Sequence, residues 1–141
     1  MYVRIQVRNT KPKLARACRA YLVNIETKSA GGRFKPTAYV ESIQLAWSCR
    51  TPGNERDPID IPNGVSQYID VVATSSISSH FAIQIAPFPV RYSVLQSSSP
   101  QTYRYTIQVA GDGTEPKVLK LVFVWKGTWD DVEAYENKGD A

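Results

Sequence analysis

The most constraining feature of this sequence is a two-residue alternation of apolar and polar side chains that recurs along the chain. Val3, Ile5 and Val7 occupy one phase of the opening segment, and two arginines and a glutamine occupy the other. Because successive side chains of a β-strand point to opposite faces, this segment is predicted to be a half-buried strand. Comparable segments recur between turns rich in glycine, proline and serine, and none has a convincing helical period. The pattern predicts an all-β chain.

Residues 15–26 contain several alanines, so a helix is the competing prediction for this segment. No capping box precedes it, and the β-branched Val23 and Ile25 favour a strand. The apolar phase passes from Ala20 and Leu22 to Val23 and Ile25, which predicts a bulge or twist near Val23. The other predicted strands cover residues 2–8, 41–49, 65–73, 81–85, 90–95, 102–109 and 117–126.

About seven to nine short strands without a helix predict an immunoglobulin-like antiparallel β-sandwich. A small β-barrel or a jelly roll is the alternative. One domain is predicted to cover residues 1–129, and the acidic residues 130–141 are predicted to form a frayed tail. Ten residues on inward phases are predicted to share one core: Val3, Ile5, Val7, Leu22, Leu45, Trp47, Ile83, Ile107, Leu121 and Phe123. The last strand also carries apolar residues on its other face, which predicts that both faces of this strand are buried.

Three turn motifs carry a family resemblance. The opening strand ends at Asn9, a polar gap follows, and the next strand begins at Ala15; Pro62-Asn63-Gly64 precedes a middle strand, and Gly111-Asp112-Gly113 joins the closing strands. These motifs resemble the first hairpin, a central turn and the final hairpin of bacterial immunoglobulin-like domains of the CARDB type. The family commonly has a glycine after the asparagine, where this chain has Thr10. The resemblance implies an adhesion, spacer or ligand-presenting module.

Positive charge is concentrated near the N-terminus: the first 50 residues carry ten Lys or Arg against two acidic residues, and the remainder carries seven against eleven. Arg4 and Arg8 share the outward phase of the first strand, and Arg19 shares that of the second with Tyr21. Together with Tyr2, they predict a basic, aromatic sheet face that would hold phosphates and stack bases. The alternative is a solvated face that keeps the protein soluble.

Catalytic motifs are sparse. His80 is the single histidine, and although serines precede it, no nucleophile elbow of the Gly-x-Ser-x-Gly kind occurs. We therefore predict that His80 has neither a carboxylate nor a serine partner in catalytic geometry. Asp57 and Asp60 are predicted to cap turns, because the chain lacks the regular acidic series of a calcium loop. The sequence predicts no enzyme, no metal site and no cofactor.

The two cysteines, Cys18 and Cys49, are too few for a zinc site. Cys18 shares the phase of Ala20 and Leu22, so it is predicted to be buried and unbonded. No signal peptide opens the chain, which favours reduced thiols and a cytoplasmic location. The alternative is an upstream signal or membrane anchor, because the strand pattern begins directly after Met1. No segment is apolar enough over the length needed to span a bilayer.

The sequence thus predicts a non-catalytic binding or accessory module that mediates protein–protein interaction. It would be the soluble part of a larger, membrane-anchored bacterial or phage protein. One alternative is nucleic-acid or nucleotide binding through the basic sheet face. Another is carbohydrate binding through an exposed tryptophan, for which Trp129 is the candidate, since Trp47 and Trp125 fall on inward phases.

Overall fold

The computed structural model describes residues 2–28, 31–37, 39, 42–51, 53–74, 81–83, 96–97, 100–127 and 131–137. Within these residues the chain forms twelve β-strands and no helix, so the predicted all-β fold is confirmed. The strands are β1 (Tyr2–Arg8), β2 (Ala15–Lys28), β3 (Lys35–Pro36), β4 (Ile43–Gln44), β5 (Ala46–Trp47), β6 (Ile59–Ile61), β7 (Ser66–Thr74), β8 (Phe81–Ile83), β9 (Gln96–Ser97), β10 (Gln101–Asp112), β11 (Lys117–Trp125) and β12 (Val132–Glu136).

The strands form two antiparallel sheets that pack face to face, which confirms the predicted sandwich. Within the described residues, the five-stranded sheet has the order β1-β7-β8-β9, and β5 also pairs with β7. The seven-stranded sheet has the order β12-β11-β10-β2-β3, and β4 and β6 also pair with β2. The strands outnumber the prediction because segments interpreted as loops contribute short strands, such as β3 and β6.

One apolar core lies between the sheets, and the predicted core is largely confirmed. Seven of the predicted residues are buried in it, and Val3 and Val7 pack against it at its margin. The side chain of Ile83 lies outside the described part of the structure. The seven buried residues are Ile5, Leu22, Leu45, Trp47, Ile107, Leu121 and Phe123.

Strand β2 is irregular at two points. Thr106 of β10 pairs with Asn24, but the next residue pairs with Leu22, so Val23 is the extra residue of a bulge, as predicted. A second irregularity lies at Ala17, whose φ of 51° is in the left-handed region. Gly111 of β10 packs against this point, where a Cβ would lie 2.8 Å from the carbonyl oxygen of Arg16. The absence of a side chain at Gly111 therefore allows the strands to approach each other.

The connection between β1 and β2 is not a hairpin, which corrects the expectation from the sequence motifs. β1 pairs with β7 in one sheet, and β2 pairs with β10 in the other. Asn9 holds this crossing in place, because its side-chain amide donates to the carbonyl oxygens of Lys13 (2.7 Å) and Ile61 (2.8 Å). Its backbone carbonyl also accepts from the N–H of Gly64 over 2.7 Å. These bonds tie the connection to the β6–β7 turn and lead the chain across to the second sheet.

The strand predicted over residues 41–49 is two short strands, one in each sheet. β4 pairs with β2, whereas β5 pairs with β7. Between them, the backbone N–H of Leu45 donates to the carbonyl of Ala20 over 2.8 Å. The chain therefore changes sheets at Leu45, as strands do at the corners of a sandwich.

The C-terminal segment is part of the sheet rather than a frayed tail over residues 132–136. The predicted hairpin between β10 and β11 is confirmed, and β12 then returns antiparallel to β11. Val132 lies opposite Trp125 and packs against the core, which supplies the apolar contact that a free tail would lack. Lys126 forms ion pairs with Asp131 (3.8 Å) and Glu133 (3.2 Å), so acidic side chains of this segment are partly neutralised.

Candidate ligand-binding site

The residues predicted to form one basic face lie on two different sheets. Arg4 and Arg8 project from β1 on the outer face of the five-stranded sheet, whereas Arg19 and Tyr21 project from β2 on the outer face of the seven-stranded sheet. The structure therefore does not bring these four residues together, because β1 and β2 do not pair. The side chain of Tyr2, together with Trp129 and His80, lies outside the described residues.

Arg4 has a structural partner on its own sheet. Its Nε lies 2.6 Å from Oδ1 of Asp70, the residue opposite it on β7. The hydroxyl of Ser48 donates to the same carboxylate oxygen over 2.7 Å. Arg4 thus contributes to cross-strand pairing rather than presenting an uncommitted charge.

The outer face of the seven-stranded sheet carries a cross-strand row of four side chains. Arg104 of β10 lies opposite Glu26 on β2 and opposite Val122 on β11. Val122 in turn lies opposite Tyr135 on β12. Because directly opposed residues point to the same face of a sheet, the row combines an ion pair, an apolar centre and an exposed ring.

Arg104 holds this row together through its whole guanidinium group. Its Nε and Nη2 each donate to one carboxylate oxygen of Glu26 over 2.9 Å. This is the bidentate geometry in which an arginine binds a carboxylate most strongly. Its Nη1 donates to Oδ1 of Asn137 over 3.1 Å. These hydrogen bonds from Arg104 hold the pKa of the Glu26 carboxyl below its ordinary value, against the opposing effect of its burial.

Phe34 folds back over the row from the connection between β2 and β3. The Arg104 guanidinium carbon lies 4.4 Å from the centroid of the Phe34 ring, and Nζ of Lys28 lies 5.1 Å from it. Both distances suit attraction between a cation and the negative face of a ring. Gly31, with a φ of 73°, supplies a turn conformation that other residues rarely adopt. The loop thereby places a second aromatic side chain, besides that of Tyr135, beside the row on this sheet face.

Between this loop and the sheet lies a cavity of about 710 Å³. Its volume falls in the range of roughly 300–1,000 Å³ typical of ligand sites. The apolar part of its wall consists of Phe34 and Val122, and Tyr135 adds an exposed ring. We call it the outer-face cavity and define it by its lining: Lys28, Gly32, Arg33, Phe34, Arg104, Val122, Tyr135 and Asn137. Its chemistry is cationic and aromatic, which suits an anionic ligand with an apolar portion.

None of these lining residues was among the predicted site residues. The useful signal was on β11, where apolar residues on both phases predicted a strand covered on each side. The prediction holds at Val122, because only 2% of its surface is exposed although it lies on the outer face, but not at Val118 on the same face, which is 61% exposed. What covers that face was not predictable, since Phe34 lies in a segment with a loop pattern.

The remaining reactive groups do not gather at a second centre within the described residues. Cys18 is buried and unbonded, as predicted, and burial together with the carboxylates of Asp60 and Asp112 raises the pKa of its thiol. Cys49 is also free but exposed. Among the described residues, no three His, Cys, Asp or Glu side chains are placed to hold a metal ion. The same residues include no helix suited to crossing a membrane.

No protein family, curated protein or solved structure matches this chain. The resemblance of its turn motifs to CARDB-type domains therefore stays a prediction. The outer-face cavity, with its cationic and aromatic lining, is the feature of this molecule that points to a function.

Proposed function

We propose that this protein is a non-catalytic binding module that recognises an acidic segment of a partner protein at the outer-face cavity. The observation that carries the proposal is the combination of positive charge and ring surface in one cavity of ligand size. The lining side chains supply cations, ring faces and an amide, which are groups that bind and orient a ligand.

Charge complementarity supports an acidic partner. Lys28, Arg33 and Arg104 bring three positive charges to the cavity, and the carboxylate of Glu26 balances one of them. A partner segment carrying carboxylates would therefore be attracted to the remaining charge, chiefly through its rate of association. The ring surfaces of Phe34 and Tyr135 offer the apolar contact that charge alone does not provide, since aromatic residues are enriched in binding interfaces.

A fluorescence-polarisation titration with labelled synthetic peptides tests this proposal. One peptide alternates Glu and Tyr, and its partner of equal length alternates Lys and Tyr. We expect the wild-type protein to bind the acidic peptide and not the basic one. Lys28→Glu should weaken acidic-peptide binding by at least about tenfold, which corresponds to about 1.4 kcal/mol.

Arg8→Glu is the matched control, because it makes the same change of charge at an exposed site on the other sheet. It should change the affinity by less than about twofold. Equal losses in the two variants would show that net charge, not the cavity, binds the peptide, and equal binding of both peptides would also overturn the proposal. A single-stranded oligonucleotide in the same titration tests the nucleic-acid alternative, and tighter binding of it than of the acidic peptide would favour that function instead.

A further inference from the structure

We infer that the outer-face cavity selects ligands in which an anionic group is joined to a flat ring. Lys28 and Arg33 bind the anion, Phe34 and Tyr135 bind the ring, and Arg104 acts only as a positioning residue. This inference deepens the proposed function and rests on it: the ligand would be an aromatic side chain of the partner that carries a phosphate group or lies next to a carboxylate.

The three cations of the cavity differ in how many hydrogen bonds and ion pairs they already form within the protein. Arg104 is 8% exposed, and three of its nitrogens donate to Glu26 and Asn137. Lys28 is partly exposed and Arg33 is exposed, and neither has an ion pair within the part of the chain that the structure describes. The groups able to receive a new anion are therefore Lys28 and Arg33.

Arg104 instead fixes the ring that the ligand meets. Its planar guanidinium lies against Phe34 and is itself held by the two-pronged bond to Glu26. Because these two hydrogen bonds restrict rotation of the guanidinium group, they also fix the position of the Phe34 ring that lies against it. A lysine at position 104 would keep the charge but lose the planar stacking surface and the fork.

The shape of the wall explains why a ring is required. Val122 forms an apolar base between Arg104 and Tyr135 along the cross-strand row. Tyr135 is 53% exposed, so much of its side chain remains available for contact. A flat ring would cover apolar surface on Phe34 and Tyr135, above the already buried Val122, and aromatic pairs contribute about 0.5–1.5 kcal/mol beyond simple burial.

Amide NMR titrations of the complete chain test this inference without using the peptide. The probes are phenyl phosphate and phenylacetate, which join ring and anion, with inorganic phosphate, acetate and phenol as single-feature controls. We expect the two combined probes to shift the amides of Lys28, Arg33, Phe34 and Tyr135 and to bind at least about tenfold more tightly than any control. Equal affinity for inorganic phosphate or for phenol would overturn the inference, since one feature would then suffice.

Variants separate the two roles. Lys28→Gln combined with Arg33→Gln should lose at least about tenfold in affinity for phenyl phosphate, whereas the matched pair Lys11→Gln and Lys13→Gln, at exposed sites in the β1–β2 connection, should not. Arg104→Lys should reduce the preference for phenyl phosphate over inorganic phosphate while leaving the affinity for inorganic phosphate unchanged. Loss of inorganic-phosphate binding in that variant would show that Arg104 contacts the anion and would overturn its positioning role.

Failure of the inference and failure of the proposed function are distinguishable. If the acidic peptide binds at the cavity but phenyl phosphate does not outcompete inorganic phosphate for it, the function stands and the ring requirement is wrong. If phenyl phosphate shifts the cavity amides and neither peptide binds, the ligand class stands and the protein partner is wrong. Phosphotyrosine and glutamate–tyrosine peptides, compared directly, then tell whether the anion is a phosphate on the ring or a neighbouring carboxylate.

Discussion

The two sheets each carry an arginine–carboxylate pair across neighbouring strands on their outer faces. On the five-stranded sheet, Nε of Arg4 lies 2.6 Å from Oδ1 of Asp70, and 44% of the arginine side chain is exposed. On the seven-stranded sheet, Arg104 meets Glu26 through two contacts of 2.9 Å, and only 10% of its side chain is exposed. The residue types and the cross-strand placement are alike, so the difference lies in what covers each pair.

That cover changes the role of the pair. Solvent screens an exposed pair, and such pairs contribute about 0–1 kcal/mol to stability. Under Phe34 and beside Asn137, the Arg104–Glu26 pair has less solvent around it than the Arg4–Asp70 pair. It can therefore serve as a rigid base for a cavity, whereas the Arg4–Asp70 pair joins β1 to β7.

Removing the arginine of each pair should produce the largest difference in the free energy of unfolding between the two sheets. We expect Arg104→Ala to lower the free energy of unfolding by about 3 kcal/mol, because it leaves the Glu26 carboxylate shielded from water without its main partner. Arg4→Ala should lower it by less than about 1 kcal/mol. Urea denaturation followed by tryptophan fluorescence measures both. Equal losses would show that the cover over Arg104 has no energetic consequence.

The next effect is a dependence of stability on pH at the Arg104–Glu26 pair. The pKa of Glu26 is lowered, first of all by hydrogen bonds from Arg104. A carboxyl group with a lowered folded-state pKa adds stability above its unfolded pKa, and this contribution is lost as the pH falls through the folded-state pKa. Wild-type stability should therefore fall more steeply on acidification than that of Glu26→Gln, and the two curves should converge at low pH. Parallel curves in urea denaturation across an acid series would contradict this.

A smaller effect concerns the cover itself. Phe34→Leu keeps an apolar side chain but removes the ring that faces Arg104 and Lys28. We expect it to cost about 0.5–1 kcal/mol, the usual strength of an exposed cation–ring contact. Phe34→Tyr is the control, since it keeps a ring and should retain wild-type stability. A thermal or urea unfolding curve for Phe34→Leu that overlays the wild type would show that the ring does not stabilise the row.

The smallest effect is the response to salt. High salt screens exposed charges more than covered ones. The stability difference between wild type and Arg4→Ala, about 0.5 kcal/mol at low salt, should nearly vanish in concentrated sodium chloride. The corresponding difference for Arg104→Ala should persist. Equal sensitivity of the two differences would indicate equal exposure to solvent.

Much of the fold was predictable because it depends on local alternation. The inward residues of β1 and β10 follow directly from a period of two, and the change of phase after Leu22 predicted the bulge at Val23. The hairpin at Gly111-Asp112-Gly113 was also predictable, since short glycine-containing turns join neighbouring antiparallel strands. The site was not predictable in this way, and the basic residues chosen from their shared outward phase lie on different sheets.

The alternation predicts which side chains of a strand share a face. It does not predict which other strand pairs with that strand. The residues of β1 and β2 follow one another in the chain, yet the hydrogen bonds of Asn9 to Lys13 and Ile61 lead them into opposite sheets. Glu26 and Arg104 are separated by 78 positions and meet only because β2 and β10 pair in one register. Local pattern was enough for the long strands, their phase and most of the core, because those follow from backbone geometry, but not for the short strands β3 to β6 or for β12. The outer-face cavity required the complete fold, because only long-range pairing and the return of Phe34 bring its charges and rings together.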